Sequence, residues 1–435
     1  MPRERRDPPL QPPPNVNPRG EEPEAKAKPY EIPKRWVQRA YARVKANHGA
    51  AGVDGESLAM FEHDLKNNLY KVWNRMASGS YFPPPVRLVE IPKRDGGLRP
   101  LGIPTVGDRV AQAVVKMVLE PGLERVFHRD SYGYRPGKSA HDALAVTRRR
   151  CWQYDWVIDL DIKGFFDAMP HDLVERAVAR HTERPWVRLY IARWLRAPMQ
   201  QPDGTLVPRT KGTPQGGVIS PLLANLFLHY AFDAWMQRQH PAVPFARYAD
   251  DMIVHCRTEG EARELLGAIR ERFAQCGLEL HPTKTRIVYC KDDDRHGQSA
   301  HVTFDFLSYT FQPRAAQNRQ GKVFLGFLPA ISARAAQAIY EQIRAWHFTA
   351  KTHLQLSDLA GLTNATVRGW VNYYGRWYRS ECLRVLRHVN RALERWVHRK
   401  FKRCRQSWAA TRRWLKRVAH RSPRLFVLWE LGVTP

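Results

Sequence analysis

The chain has 435 residues, room for two or three domains and a sizeable core. Its 70 Lys and Arg outnumber 42 Asp and Glu, and the net charge of +28 calls for a polyanionic partner such as nucleic acid. The six cysteines are scattered without Cys-x-x-Cys or paired-His spacing, which argues against a zinc site or a disulfide framework and for a cytoplasmic protein with reduced thiols.

Residues 1–26 are rich in Pro, Arg and Glu, with little to bury, and read as a disordered tail without a signal peptide. Helical periodicity runs over 32–47 (Ile32, Trp36, Val37, Ala40, Tyr41, Val44) and again over 58–76. Residues 86–93 alternate like a strand, Asp95-Gly96-Gly97 marks a turn, and 98–103 returns as a second strand. A helix is expected through 110–119. In 156–162, Val157, Asp159 and Asp161 share one face of a strand, while Trp156, Ile158, Leu160 and Ile162 share the other.

A helix is expected from Asp172 and another from Ser220-Pro221, with Ser220 as its N-cap. Residues 212–232 carry no Asp, Glu, Lys or Arg and are long enough to span a bilayer. Thr213, Gln215, Ser220, Asn225, His229 and two prolines make a loop and a buried helix the better reading, and no membrane partner is expected. Tyr248-Ala249-Asp250-Asp251 reads as the tip of a strand-turn-strand; a helix follows over 261–276, then strands over 285–289 and 303–309. The middle of the chain thus reads as a mixed antiparallel sheet backed by helices, an α/β (α+β) fold, and from about 331 onward the pattern is helical.

Two adjacent carboxylates are usually an ordinary surface turn. Asp161 changes that reading, because an acid ending an apolar strand needs a reason, and paired strands would bring it beside Asp250 and Asp251. Three such carboxylates suit two Mg²⁺ ions, hard cations that prefer oxygen.

The motifs in order are Asp161-Ile162-Lys163-Gly164-Phe165-Phe166-Asp167, Gly212-Thr213-Pro214-Gln215-Gly216-Gly217 and Tyr248-Ala249-Asp250-Asp251. They resemble successive reverse-transcriptase motifs. Gly52-Val53-Asp54-Gly55, Arg99-Pro100-Leu101-Gly102-Ile103-Pro104, Ser131-Tyr132-Gly133-Tyr134-Arg135-Pro136-Gly137 and Gly369-Trp370-Val371-Asn372-Tyr373-Tyr374 resemble the group II intron-encoded branch, in a short form like the bacterial class C proteins. The resemblance covers about 49–400.

It implies a right-hand polymerase: fingers over 27–140, a palm with the catalytic site over 141–325, a helical thumb or maturase domain over 326–398, and a basic DNA-binding tail over 399–435. It further implies metal-binding roles for Asp161, Asp250 and Asp251, with the Ile162 carbonyl as an extra ligand of two Mg²⁺. Lys93 and Arg99 would grip the triphosphate of an incoming dNTP, Phe166 would exclude a 2′-hydroxyl, Gln215 would line the nucleotide site, and Lys284 would protonate the leaving pyrophosphate. Asp159 matches no catalytic position. The charge of 331–435, 21 Lys and Arg against 5 Asp and Glu, includes Arg384, Arg387, Arg391, Arg395, Arg399 and Lys402, spaced by three or four as one basic stripe on a helix. Trp408 and Trp414 are candidate stacking surfaces beside it.

The implied partners are an RNA template with a DNA primer, group II intron RNA and target DNA; the implied processes are splicing and retrohoming. No endonuclease module is expected after the tail, so primers would come from nicks or nascent strands. A free-standing reverse transcriptase in DNA repair or phage defence, and a splicing cofactor with an inactive polymerase, are the alternatives. Intact Asp161, Asp250 and Asp251 argue against the second.

Overall fold

A computed structural model describes residues 28–92, 97–318 and 320–435. The tail expected over 1–26 and the proposed triphosphate residue Lys93 lie outside them. The first helix, Lys34–Ala46, buries Val37, Ala40, Tyr41 and Val44, the spacing of one helical face. The periodicity of 58–76 belongs to two helices, Leu58–His63 and Leu65–Ala77. They break at Asp64, whose φ of −123° and ψ of 49° leave the helical region.

Strands β1 (Val86–Pro92) and β2 (Leu98–Ile103) form the expected hairpin, and the helix Val106–Glu124 follows. Helix Ala140–Cys151, not among the elements expected above, starts with a reciprocal cap between Ser139 and Asp142. It leads into β3 (Trp156–Leu160). Two short strands, β4 (Met199–Gln200) and β5 (Leu206–Val207), extend the first hairpin to a sheet ordered β2-β1-β4-β5, in which β1 and β4 run parallel.

Strands β6 (Phe245–Tyr248), β7 (Asp251–Cys256) and β8 (Arg286–Tyr289) join β3 in the central sheet, ordered β6-β7-β3-β8 and antiparallel throughout. Strands β9 (Phe304–Phe306), β10 (Tyr309–Gln317) and β11 (Val323–Ile331) make a third sheet. The sheet expected for the middle of the chain is thus two antiparallel sheets, the strand read over 303–309 belonging to the second. Among the described residues the sheet built on the β1–β2 hairpin is the one that mixes directions. The strand read over 303–309 is cut by a turn at Leu307 and Ser308, both at positive φ.

The two faces of the central sheet carry different cores. Ile158, Leu160, Met252 and Val254 pack into the main core beneath helices. Val157, Ile253 and Val288 face a second cluster, filled by Leu144 and by Phe304, Tyr309, Phe311 and Phe327 of the third sheet. Both faces are covered, and the acids Asp159 and Asp161 belong to the second one.

Ser220 is not a cap. The helix Ser220–Leu228 begins on it, and its buried hydroxyl instead meets the Thr213 hydroxyl at 2.8 Å, giving two buried polar atoms a partner. The helix continues into a π-helical turn, His229–Asp233, and then Ala234–Gln239. No helix among the described residues is long and apolar enough to cross a membrane. All six cysteines are buried and unbridged.

Beyond β11 the chain is helical: Ala333–Ala345, Leu356–Tyr374, Arg379–Lys400, Trp408–Arg421 and Val427–Glu430. These share a core of their own that reaches from Ile331 to Val433. Packing continues across residues 398–399: Trp429 Nε1 donates to Asn390 Oδ1 at 2.9 Å, and Asn390 Nδ2 donates to the Val433 carbonyl at the same distance.

Candidate active site

The acids meet because of strand register. The last paired rung of β3 and β7 is Leu160 with Met252, so one step further Asp161 stands beside Asp251, on the face that also carries Asp159. Asp250 sits in the two-residue turn between β6 and β7, after Ala249 at φ 57°. The other side of Asp161 is fixed by the 279–285 segment: its carbonyl accepts from His281 N at 2.8 Å, and Lys163 N donates to the Glu279 carbonyl at 2.9 Å. Carbonyls alternate along a strand, so the Ile162 carbonyl faces away from that segment, toward the side where β7 lies.

Burial and neighbouring charge raise three of the acids here, Asp159, Asp250 and Asp251. Asp251 opens onto the cleft, yet burial and then the charges of Asp250 and Asp161 push its carboxyl up to about 7. Burial, with Asp161 adding to it, raises Asp250. Asp159 is pushed up to about 8, by burial first and then by Asp251. Lys284 Nζ lies 3.5 Å from Asp161 Oδ2 and partly balances it. Among the described residues no three His, Cys, Asp or Glu side chains are drawn into a ready-made metal cluster.

Two of the nucleotide candidates come together. Arg99 Nε donates to Gln215 Oε1 at 2.7 Å across 116 residues of chain. The Gln215 carbonyl accepts from Gly102 N of β2 at 2.7 Å. Gly216, at φ 121°, would place a Cβ 2.5 Å from the Gly102 carbonyl, so this glycine serves a close approach to β2. Phe166 is only 8% exposed, set edge-on against Phe165, and its carbonyl accepts from Thr213 N at 2.8 Å.

Sequence reasoning missed what holds the acidic turn. Arg247 is fully buried and spends its whole fork on neighbours. Nε and Nη2 reach Asp233 Oδ1 and Oδ2 at 2.7 and 2.5 Å, while Nη1 reaches Asn225 Oδ1 at 2.9 Å and the Ala249 carbonyl at 3.0 Å. Asp233 closes the π-helical turn, a distortion often found near functional sites. Asn225 in turn donates to the Gly133 carbonyl at 2.7 Å, and a Cβ on Gly133 would lie 2.3 Å from Ala249 N. The legible signal is a charge set into an apolar strand directly before the acids.

The basic stripe of the C-terminal region forms in part. Arg384, Arg387, Arg391, Arg395 and Arg399 are exposed on the helix Arg379–Lys400, opposite buried Val385, Val389, Leu393, Trp396 and Val397. Lys402 is not on it: the helix ends at Lys400 and Lys402 lies in the following 3₁₀ turn, where Phe401 has left the helical region. Arg384 is paired with Glu381 at 2.6 Å. Trp408 stacks on His398 and stays half-exposed, whereas Trp414 packs against Phe401 and the core.

Residues 91–311 match the family described as reverse transcriptase (RNA-dependent DNA polymerase), and residues 336–414 match the group II intron maturase-specific domain. The chain belongs to the group II intron reverse transcriptase/maturase family. Protein YkfC of Escherichia coli (strain K12) is 31% identical over 301 residues, covering 59% of this chain and 77% of YkfC. Group II intron-encoded protein LtrA of Lactococcus lactis subsp. cremoris is 34% identical over 193 residues, 44% of this chain and 32% of LtrA. The putative COX1/OXI3 intron 1 protein of Saccharomyces cerevisiae is 30% identical over 199 residues, 46% of this chain and 24% of that one. The chain thus spans about a third of LtrA. Membership in this reverse transcriptase family carries the polymerase palm-and-fingers fold, and the matched residues include the central sheet and its acidic turn.

Proposed function

We propose that the protein extends a DNA primer with dNTPs on an RNA template, and that it binds a group II intron RNA as a splicing maturase. The observation that carries this reading is the register placing Asp161 beside Asp251, next to the Asp250 turn. Clustered carboxylates, with Asp250 and Asp251 raised by burial and neighbouring charge, offer only hard oxygen donors and fit divalent magnesium. Asp161, Asp250 and Asp251, with the Ile162 carbonyl, would hold two Mg²⁺. When bound, these ions would activate the primer hydroxyl and stabilise the charge of the leaving group.

The chain's own side chains take the remaining tasks. Arg99, oriented by Gln215, would hold the triphosphate as its charge grows, with Lys93 as its companion. Phe166 would close the space beside the sugar, and Lys284 would supply a proton to pyrophosphate. Residues 27–140 would act as fingers, 141–325 as palm and 326–398 as thumb, with 399–435 reaching target DNA during retrohoming. Primer extension on an RNA template with Mg²⁺ tests the reading: wild type should synthesise cDNA, and Asp250→Asn should lose synthesis while keeping intron RNA binding. Full synthesis by Asp250→Asn would refute the metal assignment.

A further inference from the structure

A pocket of about 630 Å³ opens between the helices His171–Ala179, Ala234–Gln239 and Glu259–Gln275. These helices belong with the main core, which covers the opposite face of the central sheet from Asp161 and Asp251. Its lining includes Arg176, Arg180, Arg238 and Arg272, and among the described residues no lining side chain is acidic. Arg176 and Arg180 lie four residues apart and are exposed, as is Arg238.

The floor is fixed. Arg272 donates from Nε and Nη2 to the carbonyls of Ala231 and Tyr230, at 3.1 and 3.0 Å, inside the π-helical turn. The Tyr230 hydroxyl meets His181 Nε2 at 2.6 Å, which sets the ring against the pocket. The charge of Arg180 reaches into this corner: burial first, and Arg180 after it, hold His181 below the ordinary histidine range. Four guanidinium groups with no lining carboxylate among the described residues repel one another until an anion enters. Their planar forks match phosphate oxygens, and the pocket holds more than one phosphate.

We propose that this arginine-lined pocket binds the phosphate backbone of a structured RNA, as a docking site separate from the acid cleft. The inference rests on the reading that the protein binds a folded RNA. A template strand at the acid cleft engages the other face of the sheet, whereas a folded RNA is large enough to reach both. Tyr230 gives such a backbone a partly buried ring at the pocket wall on which a base can stack.

The test uses the full chain, with Arg176, Arg180 and Arg238 changed together to Gln and, separately, to Lys. Filter binding against salt is measured on a transcribed group II intron ribozyme, and primer extension on poly(rA)·oligo(dT). The Gln variant should bind the ribozyme about tenfold or more weakly, with a salt slope lower by about 2. Extension on poly(rA)·oligo(dT) should be unchanged, and the Lys variant should recover the slope but not the full affinity. Equal ribozyme affinity and slope in wild type and Gln variant would overturn the site, as would an equal loss on both substrates. If millimolar pyrophosphate raises the melting temperature of wild type but not of the Gln variant, while ribozyme affinities match, the occupant is a free polyphosphate and the RNA assignment falls. Wild type that binds the ribozyme no better than poly(rA) would instead refute the underlying RNA reading, a separate result.

Discussion

Arg247 and Asp233 form a fully buried, fork-to-fork ion pair whose remaining guanidinium nitrogen holds the Ala249 carbonyl. That contact ties the left-handed residue of the acidic turn to the π-helical segment behind it. Removing either partner alone strands a buried charge, at a cost of about 3–5 kcal/mol. We therefore expect Arg247→Met and Asp233→Leu each to lower stability by that order in urea unfolding. The double variant should regain most of the loss, because an apolar pair can replace a buried ion pair. Its primer extension should stay at least tenfold below wild type, since Ala249 has lost its donor. A double variant with restored activity would show that the pair matters only for folding.

Phe166 carries two demands at once. Its ring is almost wholly buried against Phe165, so Phe166→Ala should destabilise by about 3–5 kcal/mol whatever its role at the nucleotide. Phe166→Leu fills more of the space and separates the effects. It should keep the fold and raise the efficiency of rNTP over dNTP use by about tenfold, the scale of 1.4 kcal/mol in a transition state. The measurement is kcat/KM for both nucleotide types on one template. An unchanged ratio would return Phe166 to a packing role.

What was legible in the sequence depended on how local its cause was. The alternation of Val157, Asp159 and Asp161 gave the correct shared face, because side-chain direction in a strand has period two. The hairpin around Asp250 was legible because strand-forming residues flank an Asp pair that tolerates turn geometry. Contacts across long stretches of chain left no local trace: Arg99 with Gln215, or Arg247 with Asp233 through a π-helical turn. Capping misled at Ser220, where a buried Thr213 hydroxyl took the side chain. Periodicity likewise could not mark the one-residue break at Asp64, or the end of the helix at Lys400, which removes Lys402 from the stripe.

The stripe itself can be tested with the residues the structure leaves on it. Arg384 is already engaged by Glu381, so Arg387, Arg391 and Arg395 are the better triad. Changing them together to Gln should weaken binding to an RNA–DNA primer-template and lower the salt slope by about 2–3, one increment per lost phosphate contact. Their exposure predicts little change in thermal stability, and Arg384→Gln alone should have a smaller effect on the slope. An unaltered slope in the triple variant would mark the stripe as a solvated surface.

His255 sets a pH dependence that is separate from catalysis. It is fully buried on β7, neither ring nitrogen has a hydrogen-bond partner among the described residues, and burial, with Arg150 adding to it, holds its pKa well below the ordinary 6.5. In the unfolded chain this histidine takes up a proton as pH falls through 6.5, while the folded protein keeps it neutral until far lower. Stability is therefore unaffected by this group above 6.5 and is lost progressively below it, by up to about 1.4 kcal/mol at pH 5.5, one unit lower. His128, His171 and His229 are depressed in the same direction, so the wild-type protein should lose more than this in total. His255→Leu removes one of these contributions and two unpartnered polar atoms. Its urea midpoint should exceed that of wild type at pH 7.5, and the gap should widen at pH 5.5. A gap that stays constant between the two pH values would mean that His255 gains its proton in the folded protein as readily as in the unfolded chain.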